Sequence, residues 1–393
     1  MPSTEHEAPL FTSIDWSSRS SGVLDVRLRT VGFVAAVAAL AAVFTYDYVV
    51  SPPSLIGTWD VTRMDWVFFL SCILFVRYGV VPLATDRQRS ASSVREFLRR
   101  PAGVLSLAYI LGFGLLGLVG PELLGMPRVD FYANLQPPVW GTVNMDDVHP
   151  YRCVGTVTGN VCHGSWQYPL GTTRVGENMV NVIMYSAHIA LKLSLAAAMI
   201  MVVVATAVGT TAGYFGGWVD DVLMRYVDVQ QTVPAIVVYI IVATMYLGKG
   251  LFTLALVFGL LNWGGIARLV RSETLERREN GYVRAARSAG ASDLHVIRRH
   301  IVPNSTATVV TALTRQIPLL ILAQVALAYL KLNTVALRSL GGILRRSLHG
   351  RYMAWDQKWW VIGFATLFLV CTVLAFNVFG DTARDVLDPK EVA

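Results

Sequence analysis

Charged residues are scarce in this 393-residue chain, at 15% of the total, where soluble domains carry about 25%. With 54% hydrophobic residues and a mean hydropathy of +0.50, that scarcity excludes an ordinary solvated globular protein. Cysteine is nearly absent too: four residues do not build a disulfide scaffold. Cys72 and Cys371 fall inside apolar runs and read as small core residues. Cys153 and Cys162 lie nine positions apart in a polar segment. They form either a disulfide, if that segment faces an oxidising compartment, or two free thiols. His163 beside them does not complete a zinc set, and no metal site is expected. No Gly-rich loop ending in Gly-Lys-Ser or Gly-Lys-Thr occurs. Gly248-Lys249-Gly250 is only a short turn between apolar runs, so ATP hydrolysis is not expected of this chain. No secretory leader is read, because about 30 residues of mixed polar sequence precede the first apolar run.

What the chain does have is apolar runs. A membrane helix needs about 20 such residues, and eight candidates stand near 30–50, 65–84, 102–120, 183–213, 229–248, 250–268, 306–330 and 359–379. The fourth is too long for one crossing, so part of it is expected to project. The net charge of +7 sits mostly between runs, which argues for membrane topology and against nucleic acid. Arg87, Arg89, Arg95, Arg99 and Arg100 come after the second run. Arg268, Arg271, Arg277, Arg278, Arg284, Arg287, Arg298 and Arg299 come after the sixth. Both segments are expected to be cytoplasmic, which puts both termini inside and the polar segment 121–181 outside. The segment 331–358 fits this poorly, with Lys331, Arg338, Arg345, Arg346, Arg351 and Lys358. Leu340, Ile343, Leu344 and Leu348 in it suggest an amphipathic helix at the membrane surface.

The segment Gly281–Pro303 has its own pattern. Ala285 and Ala289 are four apart, as are Ala286 and Gly290, so small residues share a helical face that another surface can approach closely. Gly290 suits a left-handed helix cap. Ser292 is placed to cap the next helix, and Asp293 falls in its first turn. Pro303 is expected to stop that helix, with Asn304 or Ser305 capping the next span. These features describe two short helices with a sharp bend. Read from its residues alone, the segment is either an ordinary basic loop or a docking element.

The order Tyr282-Val283-x-Ala285-Ala286-x-x-x-Gly290-Ala291-Ser292-Asp293, then Arg299-His300-Ile301-Val302-Pro303-Asn304, closely resembles the EAA loop of binding-protein-dependent ABC importer permeases. The variant is that of the dipeptide/oligopeptide/nickel group, with Arg284 at the position of the family glutamate. Tyr168-Pro169-Leu170-Gly171-Thr172, the stretch Gly213–Asp220, Met224-Arg225-x-x-Asp228, Pro234, and Phe376-Asn377 through Asp388-Pro389 resemble further family segments in the same order. The resemblance covers about 100–390. Departures lie toward the outer side. Thr173 replaces an acidic residue, and Gly176-Glu177-Asn178 replaces Gly-Arg-Asp. Leu327–Asn333 departs from the family's Leu-Ser-Phe-Leu-Gly-Leu-Gly, and Leu340-Gly341-Gly342 from its Pro-Thr-Pro-Glu-Trp-Gly.

The resemblance implies an all-α membrane protein, a C-type permease with a type I core of six spans plus two extra N-terminal ones. The organisation it implies is an extension at 1–100, a first core span and extracellular loop at 101–182, and a transmembrane core at 183–393 with a coupling loop at 275–304. It implies a second permease subunit, two cytoplasmic ATPases that hold ATP and Mg, an external solute-binding protein, and a multi-pass place among plasma-membrane lipids. This chain would be neither an enzyme nor a cofactor carrier. The implied ATPase-coupling residues are Tyr282, Arg284, Ala285, Ala286, Arg287, Gly290, Asp293, His300 and Pro303, with Arg284, Arg287 and Asp293 in polar contacts at the rim. Arg315, Lys192 and Gln324 fall inside apolar runs, where polar groups face a cavity or a partner. They are candidates for the translocation path, with ion pairing as the alternative; Pro318 could shape the same helix. Asp221 and Arg225 read as a helix pair, and Asp381 and Asp385 as helix-balancing charges. Peptide is the expected cargo, with nickel or oligosaccharides as the alternative. A secondary transporter or a membrane scaffold is the rival class.

Overall fold

The computed structural model describes residues 20–50, 61–81, 87–148, 152–334, 339–348 and 358–387. Helices dominate: α1 Ser20–Val50, α2 Arg63–Phe75 extended by a wide turn Val76–Val80, α3 Arg87–Leu98, α4 Pro101–Leu124, α5 Met179–Phe215, α6 Gly217–Thr232 and α7 Ala235–Met245. Next come α8 Leu251–Leu261, α9 Gly264–Arg278, α10 Gly281–Ser288, α11 Asp293–Val296, α12 Thr306–Tyr329, α13 Leu340–Leu348 and α14 Trp359–Leu387. A small antiparallel sheet, in the order β1 Thr142–Asn144, β3 Val161–His163, β2 Val157–Thr158, forms a cap between α4 and α5.

The 37-residue α5 is about 55 Å long at 1.5 Å per residue, and the other helices pack around it. Its close partner is α9, and glycine is the reason. A Cβ at Gly209 would meet the Ala267 carbonyl at 2.5 Å, and one at Gly213 would meet the Arg271 carbonyl at 2.8 Å. Two small residues four apart thus let the helix backbones touch, a packing mode suited to a membrane. The central core joins Leu193, Ala197, Met201 and Ala205 of α5 to Tyr239, Leu254, Phe258, Ile266 and Leu320.

Among the described residues six helices are long and apolar enough to cross a membrane, or seven if α6 and α7 form one span, and two of the eight apolar runs take another form. The run at 229–248 is not one helix: α6 and α7 are bent by 73° at a break, where Pro234 cannot donate a backbone hydrogen bond. The run at 65–84 corresponds to α2 and its wide turn, which carries Arg63, Asp65 and Arg77 and is not among the long apolar helices. The sixth run also differs, ending at Leu261 and resuming as α9 to Arg278. Pro303 does not stop a helix. Asp293–Tyr329 is a continuous 37-residue helix, whose wide turn at Ile297–Ile301 and tight turn at Val302–Ser305 absorb the missing proline donor.

The helix expected at a membrane surface is α13, and it is packed instead. Leu340 and Ile343 are each 1% exposed, and a Cβ at Gly341 would meet the Val325 carbonyl of α12 at 2.1 Å. Arg345 donates to the Tyr329 carbonyl and Arg346 pairs with the buried Glu177, so its basic residues are spent on partners. Arg338, Arg351, the end of the C-terminal motif at Asp388-Pro389 and both chain termini lie outside the described residues.

Candidate functional site

The bundle has two ends. At one, the cap rests on the start of α14: Trp360 donates Nε1–H to the Thr172 carbonyl at 3.1 Å, and the buried Thr172 hydroxyl donates to the Ala133 carbonyl at 2.6 Å. Gly171 (φ +76) lies so close to the Gln136 carbonyl that a Cβ would meet it at 2.6 Å. The motif Tyr168–Thr172 is therefore a brace. The Cys153 and Cys162 sulfurs are bonded, with Cα atoms 5.7 Å apart. Lys358 is 3% exposed at the head of α14; burial, then the nearby Arg174, push its pKa below the usual lysine value.

At the other end lie α10 and α11, joined across Gly290. Gly290 takes φ +83, and its N–H and that of Ala291 bond to the Arg287 and Ala286 carbonyls at 2.9 and 3.1 Å, closing a Schellman cap. Nothing lies within 4 Å of a Cβ built there. The glycine is thus required by backbone conformation rather than by space. Ser292 begins α11 with an extended backbone, but its side chain caps nothing; the turn is at the surface, where water serves its donors. Asn304 donates to the His300 carbonyl and the Ser305 hydroxyl to that of Ile301, so neither caps α12.

Between the two helices sits a small core of Val283, Val296 and Ile301, each 0% exposed, together with Tyr214 from the last turn of α5. Ala286 packs against this core, while Ala285, Ala289 and Gly290 are not part of it, and Ala289 and Gly290 are exposed. Ala285, Ala289 and Gly290 are thus exposed, while Ala286 faces inward. Arg287 and Asp293 are exposed, yet both reach Tyr214 at the edge of this core. The Tyr214 hydroxyl donates to Asp293 Oδ1 at 2.7 Å and accepts from Arg287 Nε at 3.2 Å, and the Arg287 guanidinium lies 4.6 Å from the Tyr214 ring centroid. Arg284 folds back, donating through Nε and Nη2 to the Glu279 carbonyl. Tyr282 stays 41% exposed with its ring 6.2 Å from that of the half-buried His300, and Pro303 is exposed. Leu294, 56% exposed, is a residue the sequence pattern does not mark; an apolar side chain in an otherwise polar turn is the one signal it offers.

The three charged or polar candidates in the spans are not one lining. Lys192 is paired with Asp65 of α2, their side chains 13% and 3% exposed. Gln324 is 3% exposed, with its amide nitrogen buried and unbonded. Both are occupied in helix packing, because the partner of Lys192 and the neighbours of Gln324 come from this chain. Arg315 is 65% exposed and lies 3.7 Å from Asp381. Asp381 is one turn, about 6 Å, from Asp385, which pairs with Arg100 at the start of α4. Arg315 is therefore an exposed residue of α12 paired with α14 of this chain. Asp221 and Arg225 form no ion pair with each other; Arg271 of α9 takes the neighbouring Asp220.

A bundle of long apolar helices with a bent, polar helix pair packed on one end is the frame of a polytopic membrane protein. The chain belongs to the family described as the binding-protein-dependent transport system inner membrane component, whose pattern matches residues 205–392. It is 31% identical over 220 residues to a dipeptide transport system permease protein of Bacillus subtilis, covering 56% of this chain and 68% of that one. It is also 31% identical to an oligopeptide transport system permease protein of Haemophilus influenzae, covering 56% and 70%. A glutathione transport system permease protein of Pectobacterium atrosepticum is 31% identical, covering 56% and 72%. The protein is thus a multi-pass membrane permease subunit of the C type.

Proposed function

We propose that this chain and a second permease form the path of an ABC importer for short peptides, driven by two cytoplasmic ATPases and fed by an external solute-binding protein. The bent pair α10–α11 carries the reading: it is attached to the long helix α5 through a shared core yet leaves Tyr282, Ala289 and Leu294 exposed. Leu294 and Tyr282 are apolar anchors of the kind that fill a pocket on a partner, here on an ATPase. Gly290 holds the angle between the two arms. ATP and Mg belong to the ATPase chains, and this chain carries no cofactor. Residues 1–100 are an extension, 101–182 hold the first core span and outer segment, and 183–393 hold the core with its coupling segment at 275–304.

Arg268, Arg271, Arg277, Arg278, Arg298 and Arg299 cluster at the α10 end, which favours a cytoplasmic position for it in the plasma membrane. The disulfide-bearing cap then faces outward, where such a bond persists, and both termini lie inside when α2 with its wide turn crosses the membrane as well. Peptide as cargo rests on the names of the relatives.

The test is purification with the neighbouring subunits, reconstitution in vesicles and uptake of labelled di- and oligopeptides. ATP-dependent peptide uptake is expected. Uptake of nickel chelates or oligosaccharides in place of peptide would overturn the cargo, and transport without any ATPase would overturn the class.

A further inference from the structure

Tyr214 is the second-to-last residue of α5, and it is 4% exposed. It is the single member of α5 in the small core between α10 and α11. Its hydroxyl reaches across the Gly290 bend in both directions at once, donating to Asp293 of α11 and accepting from Arg287 of α10. The Arg287 guanidinium also covers its ring at 4.6 Å, a cation–π distance. The polar hollow around this contact is completed by Phe215, Arg278 and Glu279, and Arg278 donates to the Gly213 carbonyl at 3.0 Å. Both arms of the bent pair are therefore fastened to one point on α5.

We infer that Tyr214 is a positioning residue for coupling: it makes α10, α11 and α5 move as one body, so that displacement of the bent pair reaches the spans instead of being lost by flexing at Gly290. This rests on the importer reading above. The bend has φ +83 with open space on its Cβ side. Beside the Schellman cap and the small apolar core, the Tyr214 bridge is the polar contact that ties both arms of the bend to α5. The bridge across it has two charge-assisted hydrogen bonds, which are stronger than neutral ones.

Two measurements on the full chain test this. Hydrogen exchange of the chain in lipid nanodiscs needs no ATPase and so stands apart from the importer reading. Tyr214→Phe keeps the ring and the guanidinium stacking and loses only the hydroxyl. It should speed amide exchange in 281–301 by about 5-fold or more, while exchange in α12 stays unchanged. Equal exchange in 281–301 would overturn the inference. In the reconstituted complex, Tyr214→Phe should raise the ATP hydrolysed per solute imported by about 5-fold with ATPase binding retained.

Asp293→Asn keeps an oxygen that accepts from the tyrosine hydroxyl and should keep the wild-type ratio, whereas Asp293→Ala should match Tyr214→Phe. If Tyr214→Phe fails to assemble, the Asp293 pair decides: equal ratios for Asn and Ala overturn the inference. A merely structural role for Tyr214 predicts lower yield at an unchanged ratio, which also overturns it. A wild-type complex that binds no ATPase sinks the importer reading and leaves the exchange experiment to judge the tyrosine.

Discussion

Neutralising Lys192 should destabilise this permease unless Asp65 is neutralised with it. The two side chains are 13% and 3% exposed. Asp65 is held in place by the Thr62 N–H at 2.9 Å and the Thr62 hydroxyl at 2.7 Å, so it cannot swing out to solvent when its cation is lost. Its neighbour Met64 belongs to the central core with Leu193 of α5, which fixes α2 against α5 at this level. Removing one partner of a buried pair typically costs about 3–5 kcal/mol, while replacing both with apolar or neutral groups is often close to neutral. Lys192→Met and Asp65→Asn should each therefore lose about 3 kcal/mol. The double variant should lose less than either single one, a coupling of several kcal/mol. Equilibrium unfolding of the full chain in mixed micelles measures this. Single losses below about 1 kcal/mol, or losses that simply add, would refute the claim that the pair clamps α2 to the core.

Gly290→Ala should cost about 1–2 kcal/mol for the left-handed backbone and no steric term, because the space is open; Gly290→Asn should cost less, and hydrogen exchange of 281–301 reads both. Gly213→Val should separate α5 from α9, since its side chain would strike the Arg271 carbonyl and Thr274. Loss of the monodisperse purified protein is the readout, with Gly112→Val, where a Cβ meets nothing within 4 Å, as the harmless control. The Cys153–Cys162 bond closes a short loop, with a sequence separation of nine, and in the chain-entropy account such a loop is worth about 3 kcal/mol. Cys153→Ser should make the cap at 126–178 far more sensitive to protease while leaving the helices intact, and equal protease resistance would contradict this.

Much of this architecture is written in hydropathy. The long α5, the apolar α4, α12 and α14, and the bend at Gly290 all derive from run length or from a residue that only one backbone conformation suits. What stays hidden is pairing between distant segments. Asp65 and Lys192 are 127 positions apart; two lone charges of opposite sign in separate apolar runs are the signal, but a sequence does not say which helices touch. The eight residues of α10 are too few for periodicity to choose the buried face, so Ala285 and Ala286 are told apart only by the place of Val283 in the small core. The contacts of Arg287 and Asp293 with Tyr214 are hidden in the same way, because the tyrosine belongs to another helix. The break at Pro234 is readable in principle, but the apolar residues on both sides of it mask the bend.

The most direct test of the coupling account is site-directed cross-linking in the assembled complex, on a background of Cys72→Ser and Cys371→Ser. Leu294→Cys, at the most exposed apolar position of α11, should cross-link to an ATPase subunit, and ATP should change the yield. Val283→Cys, in the small core at 0% exposure, should not. Failure of Leu294→Cys to reach any ATPase, or equal cross-linking from both positions, would contradict the account.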